Sequence, residues 1–382
     1  MNEPVLLRHH PSFIYRAIYS ASQEPHLRDK IWLNGCLGKK MTVIVKMMAL
    51  VLILLGPVEA APLLGKLPEQ FDSLGPTVQK IKTADGRQIH YIDDGPENGV
   101  PVIFTGGLGT SVRAIRLLDF LRSLRLQLQL RLITVERNGF GQTDFDPALD
   151  MTDYAEDVEL VLEKLDIDTF ILFGISGGGP YTAKLAARNE HRLLSVHMAA
   201  TSPIIGQPAW CENNGGISGY RDLLAYPMQF FGFPSDSTLH KVEGFQDTAY
   251  DEAARAHNLR GQAAGPEPLD HESMLYCKEG PIDTSGVTAD VYVYRGLADG
   301  LLKAEKSDQW QTSYPKAEVI LREYPGEGHD VQYRHLDQIL LDMAGFGAQL
   351  LVCEAGVNDL IAPSQLKAAL ADGASLGLCI WQ

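Results

Sequence analysis

Thr169-Phe170-Ile171-Leu172-Phe173-Gly174-Ile175-Ser176-Gly177-Gly178 is the stretch on which the fold turns. Its first five residues form a continuous apolar run, which predicts a strand buried on both faces. Glycines then wall in a serine. Residues 180–188 read as a helix, with Pro180 in its first turn, where a missing N–H costs little. A strand that turns so sharply into a helix leaves room only for glycine beside the serine. The Ser176 hydroxyl is therefore expected above the sheet edge, as a candidate nucleophile. The backbone N–H of Gly177 is expected to point where a carbonyl oxygen would gain negative charge.

The pentapeptide alone is a weak signal in a chain with 36 glycines. It gains weight from its partners. A serine nucleophile needs a base to take its proton and an acid to orient that base. Residues 290–296 alternate β-branched and aromatic side chains and predict a strand, with Asp299 on the loop just beyond it. Residues 318–324 predict the next strand, followed by a glycine-rich loop carrying His329. Residues 193–198 predict an earlier strand that ends in Ala199-Ala200-Thr201, with no carboxylate to rival Asp299. Asp330 is a weak competitor, because side chains of sequence neighbours seldom face each other. The candidate triad is thus Ser176, Asp299 and His329, in that chain order.

Three further segments complete a resemblance. Residues 100–109 read as a strand running into Thr105-Gly106-Gly107-Leu108-Gly109. Residues 132–144 contain Glu136-Arg137-Asn138-Gly139-Phe140-Gly141 behind another strand, and residues 154–165 have apolar side chains at helical spacing. From about Val78 to about Phe346 the chain resembles the α/β-hydrolases. It departs from their pattern at Thr105-Gly106, where His-Gly is usual, and at Glu136, where Asp is usual. The resemblance implies a mostly parallel, twisted sheet flanked by helices, with a cap inserted between strands six and seven. It implies an oxyanion hole built from Gly177 and either Gly107 or Leu108, and no cofactor. The implied reaction is hydrolysis of a small-molecule carboxylic ester through an acyl-enzyme. A serine at the elbow argues against dehalogenase or epoxide hydrolase chemistry, which uses a carboxylate there. Other serine chemistry on the same triad stays open (acyltransfer, amide or peptide cleavage, cofactor-free peroxidation), as does a non-catalytic binding protein on the same scaffold.

Other readings fare worse. The glycine loops do not give Gly-x-Gly-x-x-Gly with a following acid, or a phosphate-binding loop. Neither His-Glu-x-x-His nor Cys-x-x-Cys occurs, which speaks against a metal centre. The net charge of −15 argues against nucleic acid or an anionic membrane surface as a partner.

Residues 47–55 form a short apolar core behind Lys39, Lys40 and Lys46, with Val58-Glu59-Ala60 after it. This predicts a signal peptide over about 41–60, with Met41 as the start and export as the outcome; a membrane span would need about twenty apolar residues. The expected organisation is a leader over 1–60, a hydrolase domain over 61–346 with its cap at about 203–286, and a cysteine-bounded tail over 347–382. In an oxidising compartment the remaining cysteines are expected to pair as Cys211–Cys277 in the cap and Cys353–Cys379 in the tail.

Overall fold

The computed structural model describes residues 75–203, 267–279, 281–302 and 307–381. The expected leader, Cys211 and most of the expected cap lie outside the described residues. The described chain builds eight strands of one sheet: β1 (Gln79–Lys82), β2 (Gln88–Asp94), β3 (Val100–Thr105), β4 (Leu130–Val135), β5 (Phe170–Ile175), β6 (Leu193–Ala199), β7 (Asp290–Gly296) and β8 (Val319–Tyr324). A second sheet holds β9 (Leu350–Glu354), β10 (Val357–Ile361) and β11 (Ser375–Leu376). The helices are α1 (Arg122–Gln127), α2 (Met151–Lys164), α3 (Gly179–Arg188), α4 (Glu267–Lys278), α5 (Ser307–Ser313), α6 (Val331–Arg334), α7 (Leu336–Leu341) and α8 (Leu366–Ala371).

The large sheet runs in the order β1-β2-β4-β3-β5-β6-β7-β8. Its first two junctions are antiparallel and the rest are parallel. Every residue of β5 is buried, as its unbroken apolar run predicts. β3 lies between β4 and β5, so the winding reverses at β3 and β5. A doubly wound sheet opens its crevice at that reversal, beyond the carboxyl ends of the strands. The loop after β3 and the turn after β5 both lie there, which places the candidate oxyanion segment beside Ser176.

α2 begins three residues earlier than its apolar spacing alone suggests. The Asp150 side chain accepts from the amides of Thr152 and Asp153, at 2.6 and 3.2 Å, and Asp153 accepts from the Asp150 amide at 2.7 Å. This reciprocal cap satisfies amides that a helix start leaves bare. Tyr154, Ala155, Val158, Val161 and Leu162 form its buried face. The closing helix, α7, ends at Leu341. A single π turn, Asp342–Phe346, follows it, with Gly345 at φ +91°.

The tail folds. β9 and β10 are joined by Ala355 and Gly356 at φ +50° and +80°, the pattern of a tight hairpin turn whose twist matches the strands. Cys353 and Cys379 form a disulfide. Cys277 is also disulfide-bonded. None of the described helices is long and apolar enough to cross a membrane.

Candidate active site

Ser176 follows β5 directly and sits at φ +49°, in the left-handed region. For a residue with a side chain that conformation costs about 1–2 kcal/mol. The surroundings hold it there. A Cβ at Gly174 would press into the Thr182 hydroxyl, and one at Gly178 into the Thr105 carbonyl. The chain has no room for a side chain on either flank, so the serine takes the strained position at the apex.

The structure brings the three candidate triad residues together across the ends of β5, β7 and β8. Ser176 Oγ lies 2.9 Å from His329 Nε2, and His329 Nδ1 lies 2.8 Å from Asp299 Oδ2. The network fixes the proton roles: Nδ1–H donates to the carboxylate and Nε2 accepts from the serine hydroxyl. The loops carrying the acid and the base are tied to each other, since the amides of Leu297 and Ala298 donate to the carbonyls of Tyr324 and Glu327 at 3.1 and 2.9 Å. The Asp299 side chain is 5% exposed. Burial works to raise its pKa. The hydrogen bond and charge of His329, with the amides of Leu302 and Leu301, hold it below the usual carboxylate range all the same. Asp330 is engaged elsewhere: its carboxylate accepts from Arg334 Nε at 2.5 Å.

The two candidates for the upstream oxyanion donor differ in placement. The Leu108 amide nitrogen lies 2.7 Å from where a Cβ at Gly177 would stand, so it faces the serine turn. A Cβ at Gly107 would instead meet the Ser176 Cβ, at 3.6 Å. Glu136 does not reach the triad. Its Oε1 accepts from the Val112 amide at 2.8 Å, tying the segment beyond the glycine loop to the end of β4. Burial pushes its pKa up to about 8, against the pull of that amide and of Arg137.

Sequence reasoning gave no role to three neighbours of the site. Tyr276 and Glu272 stand on α4, in the segment inserted between β6 and β7. The Tyr276 hydroxyl donates to the Gly177 carbonyl at 2.6 Å, and Glu272 Oε2 accepts from the Gly109 amide at 2.6 Å. Arg137 pairs with Glu272 Oε1 and donates to the Gly106 carbonyl, and its guanidinium lies 4.6 Å from the centre of the Tyr181 ring. Nothing in the spacing of residues 267–278 signals these contacts, because they join positions 99 to 163 residues apart. Among the described residues, no group of three or more His, Cys, Asp or Glu side chains has a metal-holding arrangement.

Comparison with known proteins fits this geometry. A model of the alpha/beta hydrolase fold matches residues 100–336. A non-heme chloroperoxidase of Streptomyces lividans is 36% identical over 131 residues, which cover 33% of this chain and 45% of that protein. The chain thus spans less than half the length of that relative. 3-oxoadipate enol-lactonase 1 of Acinetobacter baylyi is 26% identical over 188 residues, covering 46% of this chain and 69% of that protein. The solved structure of an esterase from Exiguobacterium antarcticum superposes with a TM-score of 0.55 at 17% identity, covering 71% of this chain and 99% of the esterase. With the family model matching more than half of its length and the doubly wound sheet in place, this chain belongs to the alpha/beta hydrolase fold family of enzymes.

Proposed function

We propose that the protein is a serine hydrolase that cleaves carboxylic esters of small molecules through an acyl-enzyme. The observation that carries this reading is the unbroken relay of contacts from Ser176 Oγ to His329 and on to Asp299, at 2.9 and 2.8 Å. Ser176 Oγ attacks the ester carbonyl while its proton passes to His329 Nε2. The carbonyl electrons move onto oxygen, where the amides of Gly177 and Leu108 stabilise the charge. Collapse expels the alkoxide, which takes the proton from His329 and leaves as alcohol. Water then attacks the acyl-serine, giving its proton to His329, and the acid departs as Ser176 is restored. Asp299 keeps the imidazole in the tautomer that both halves require.

The kinship with a non-heme chloroperoxidase favours a second activity of the same centre. If hydrogen peroxide attacks the acyl-serine in place of water, the product is a peracid, which oxidises halide in solution. No further group on the protein is needed for that balance.

The predicted signal peptide belongs to the same reading. Disulfides persist in oxidising compartments, and the Cys353–Cys379 bond supports export.

A fluorophosphonate probe tests the central claim. Labelling of the mature protein at Ser176, lost in His329→Ala, is the expected result, with turnover of ester but not amide substrates. A folded protein that takes no label points to a binding protein instead. Bromide oxidation dependent on both peroxide and a carboxylic acid checks the second activity.

A further inference from the structure

We propose that Glu272, on the helix of the inserted segment, is a positioning residue for the oxyanion hole. The proposal rests on the reading of Ser176 as the nucleophile. Glu272 is 3% exposed, and each of its carboxylate oxygens has a separate task. Oε2 accepts from the Gly109 amide at 2.6 Å, and Oε1 pairs with Arg137. Arg137, itself 4% exposed, reaches past Glu272 to the Gly106 carbonyl. The loop 106–109 is therefore gripped at both ends by one buried ion pair, with Leu108 in between. Burial disfavours the Arg137 charge, and Glu272 is the counter-charge that sustains it.

One helical turn beyond Glu272, the Tyr276 hydroxyl donates to the Gly177 carbonyl at 2.6 Å. Residues four apart share a helix face. A single face of α4 thus touches both halves of the proposed oxyanion hole, the glycine loop and the serine turn. A Cβ at Gly177 would stand 2.7 Å from both the Leu108 nitrogen and the Tyr276 hydroxyl, so the three groups form one packed contact. The arrangement has two consequences. The Gly109 amide is occupied by Glu272, and the neighbouring Leu108 amide, packed against Gly177, is the one that the proposal places toward the reacting oxygen. The placement of that amide also depends on α4, so this helix helps to set turnover.

Oxyanion donors act only within a few tenths of an ångström of their proper place, and a misplacement of about 1 Å costs about 10²-fold. Glu272→Ala in the full-length protein is expected to lower kcat about 10²-fold per active site titrated with fluorophosphonate, with KM changed less than about 3-fold. Affinity for a trifluoromethyl ketone, whose serine adduct carries the oxyanion, is expected to fall in parallel. Glu272→Gln keeps an oxygen for the Gly109 amide but not the counter-charge for Arg137, and is expected to lower kcat about 10-fold, between the wild type and Glu272→Ala. It also answers the question if Glu272→Ala does not fold. A residue that serves only stability would lower the folded yield and leave kcat per titrated site and ketone affinity unchanged. That outcome in Glu272→Gln and in any folded Glu272→Ala overturns the proposal while the labelled Ser176 keeps the hydrolase reading intact. A wild-type protein that takes no label overturns both.

Discussion

Two of the serine–histidine contacts among the described residues fall at nearly the same distance. Ser176 lies 2.9 Å from His329, and Ser195 lies 2.8 Å from His197. Each histidine has a further partner on its other nitrogen: Asp299 at 2.8 Å in the first case, the Tyr294 hydroxyl at 2.9 Å in the second. Distance therefore does not separate the proposed catalytic pair from the other one. The third member and the setting do. His329 leans on an ionised carboxylate that can stabilise an imidazolium. His197 leans on a phenol, lies fully buried in β6 and stacks on Tyr292 with ring centres 4.8 Å apart. Burial, and the Arg322 charge after it, lower its pKa to about 3. A base that accepts a proton only at that acidity does no general-base work near neutrality. Ser195 also sits within a strand, whereas Ser176 is lifted out of one in a strained conformation.

This contrast is open to direct attack. The largest expected effect is on the first pair: Ser176→Ala or Asp299→Asn should reduce ester turnover by about 10⁴-fold, read as kcat on a chromogenic ester with the melting temperature largely preserved. Retention of a tenth of the activity in Ser176→Ala would sink the assignment of the nucleophile.

The next effect concerns stability and pH. Unfolded His197 takes up a proton near pH 6.5, whereas the folded form does so only near pH 3. Between those values the unfolded state binds more protons, so stability falls as the pH drops through that window. The slope is at most about 1.4 kcal/mol per pH unit, or about 3 kcal/mol between pH 7 and pH 4. Urea titrations at the two pH values should show this loss in the wild type and a smaller one in His197→Gln. Equal losses would mean that His197 is not held neutral by the fold.

Smaller again is Tyr294→Phe. The Tyr294 hydroxyl also donates to Asp342 at 2.9 Å, and Arg322 pairs with the same carboxylate. Removing the hydroxyl leaves a buried ring nitrogen unpaired, at a cost of about 2 kcal/mol in denaturant stability and no change in kcat. Ser195→Ala closes the series: about 1 kcal/mol of stability and less than a twofold change in turnover are expected. A large drop in turnover there would erase the distinction between the two pairs.

Much of this was legible in the residues themselves. The apolar run before Gly174 marks β5 without long-range information, because a strand covered on both faces has nothing polar to alternate with. The order of Ser176, Asp299 and His329 along the chain points to three strand ends, and the structure gathers those ends at one edge. The choice between Gly107 and Leu108 was not legible, since it depends on which amide a bent loop turns inward. Glu272 and Tyr276 were hidden for a related reason. Their contacts are made across the fold by a helix with several polar residues among its buried positions, so periodicity carries no trace of the task. The tail showed its cysteines but not its hairpin, whose strands are short and whose turn uses Ala355 where glycine or asparagine would be the clearer sign.

The appended sheet also holds the helix that follows the histidine loop. The Leu351 amide donates to Gln338 Oε1 and the Leu378 amide to Asp337 Oδ2, each at 2.8 Å. Both acceptors stand on α7, just past the loop that carries His329, and both are buried. The tail thus clamps the helix that follows the base. A version of the protein trimmed after the π turn would take from Asp337 Oδ2 and Gln338 Oε1 the backbone donors that the tail supplies.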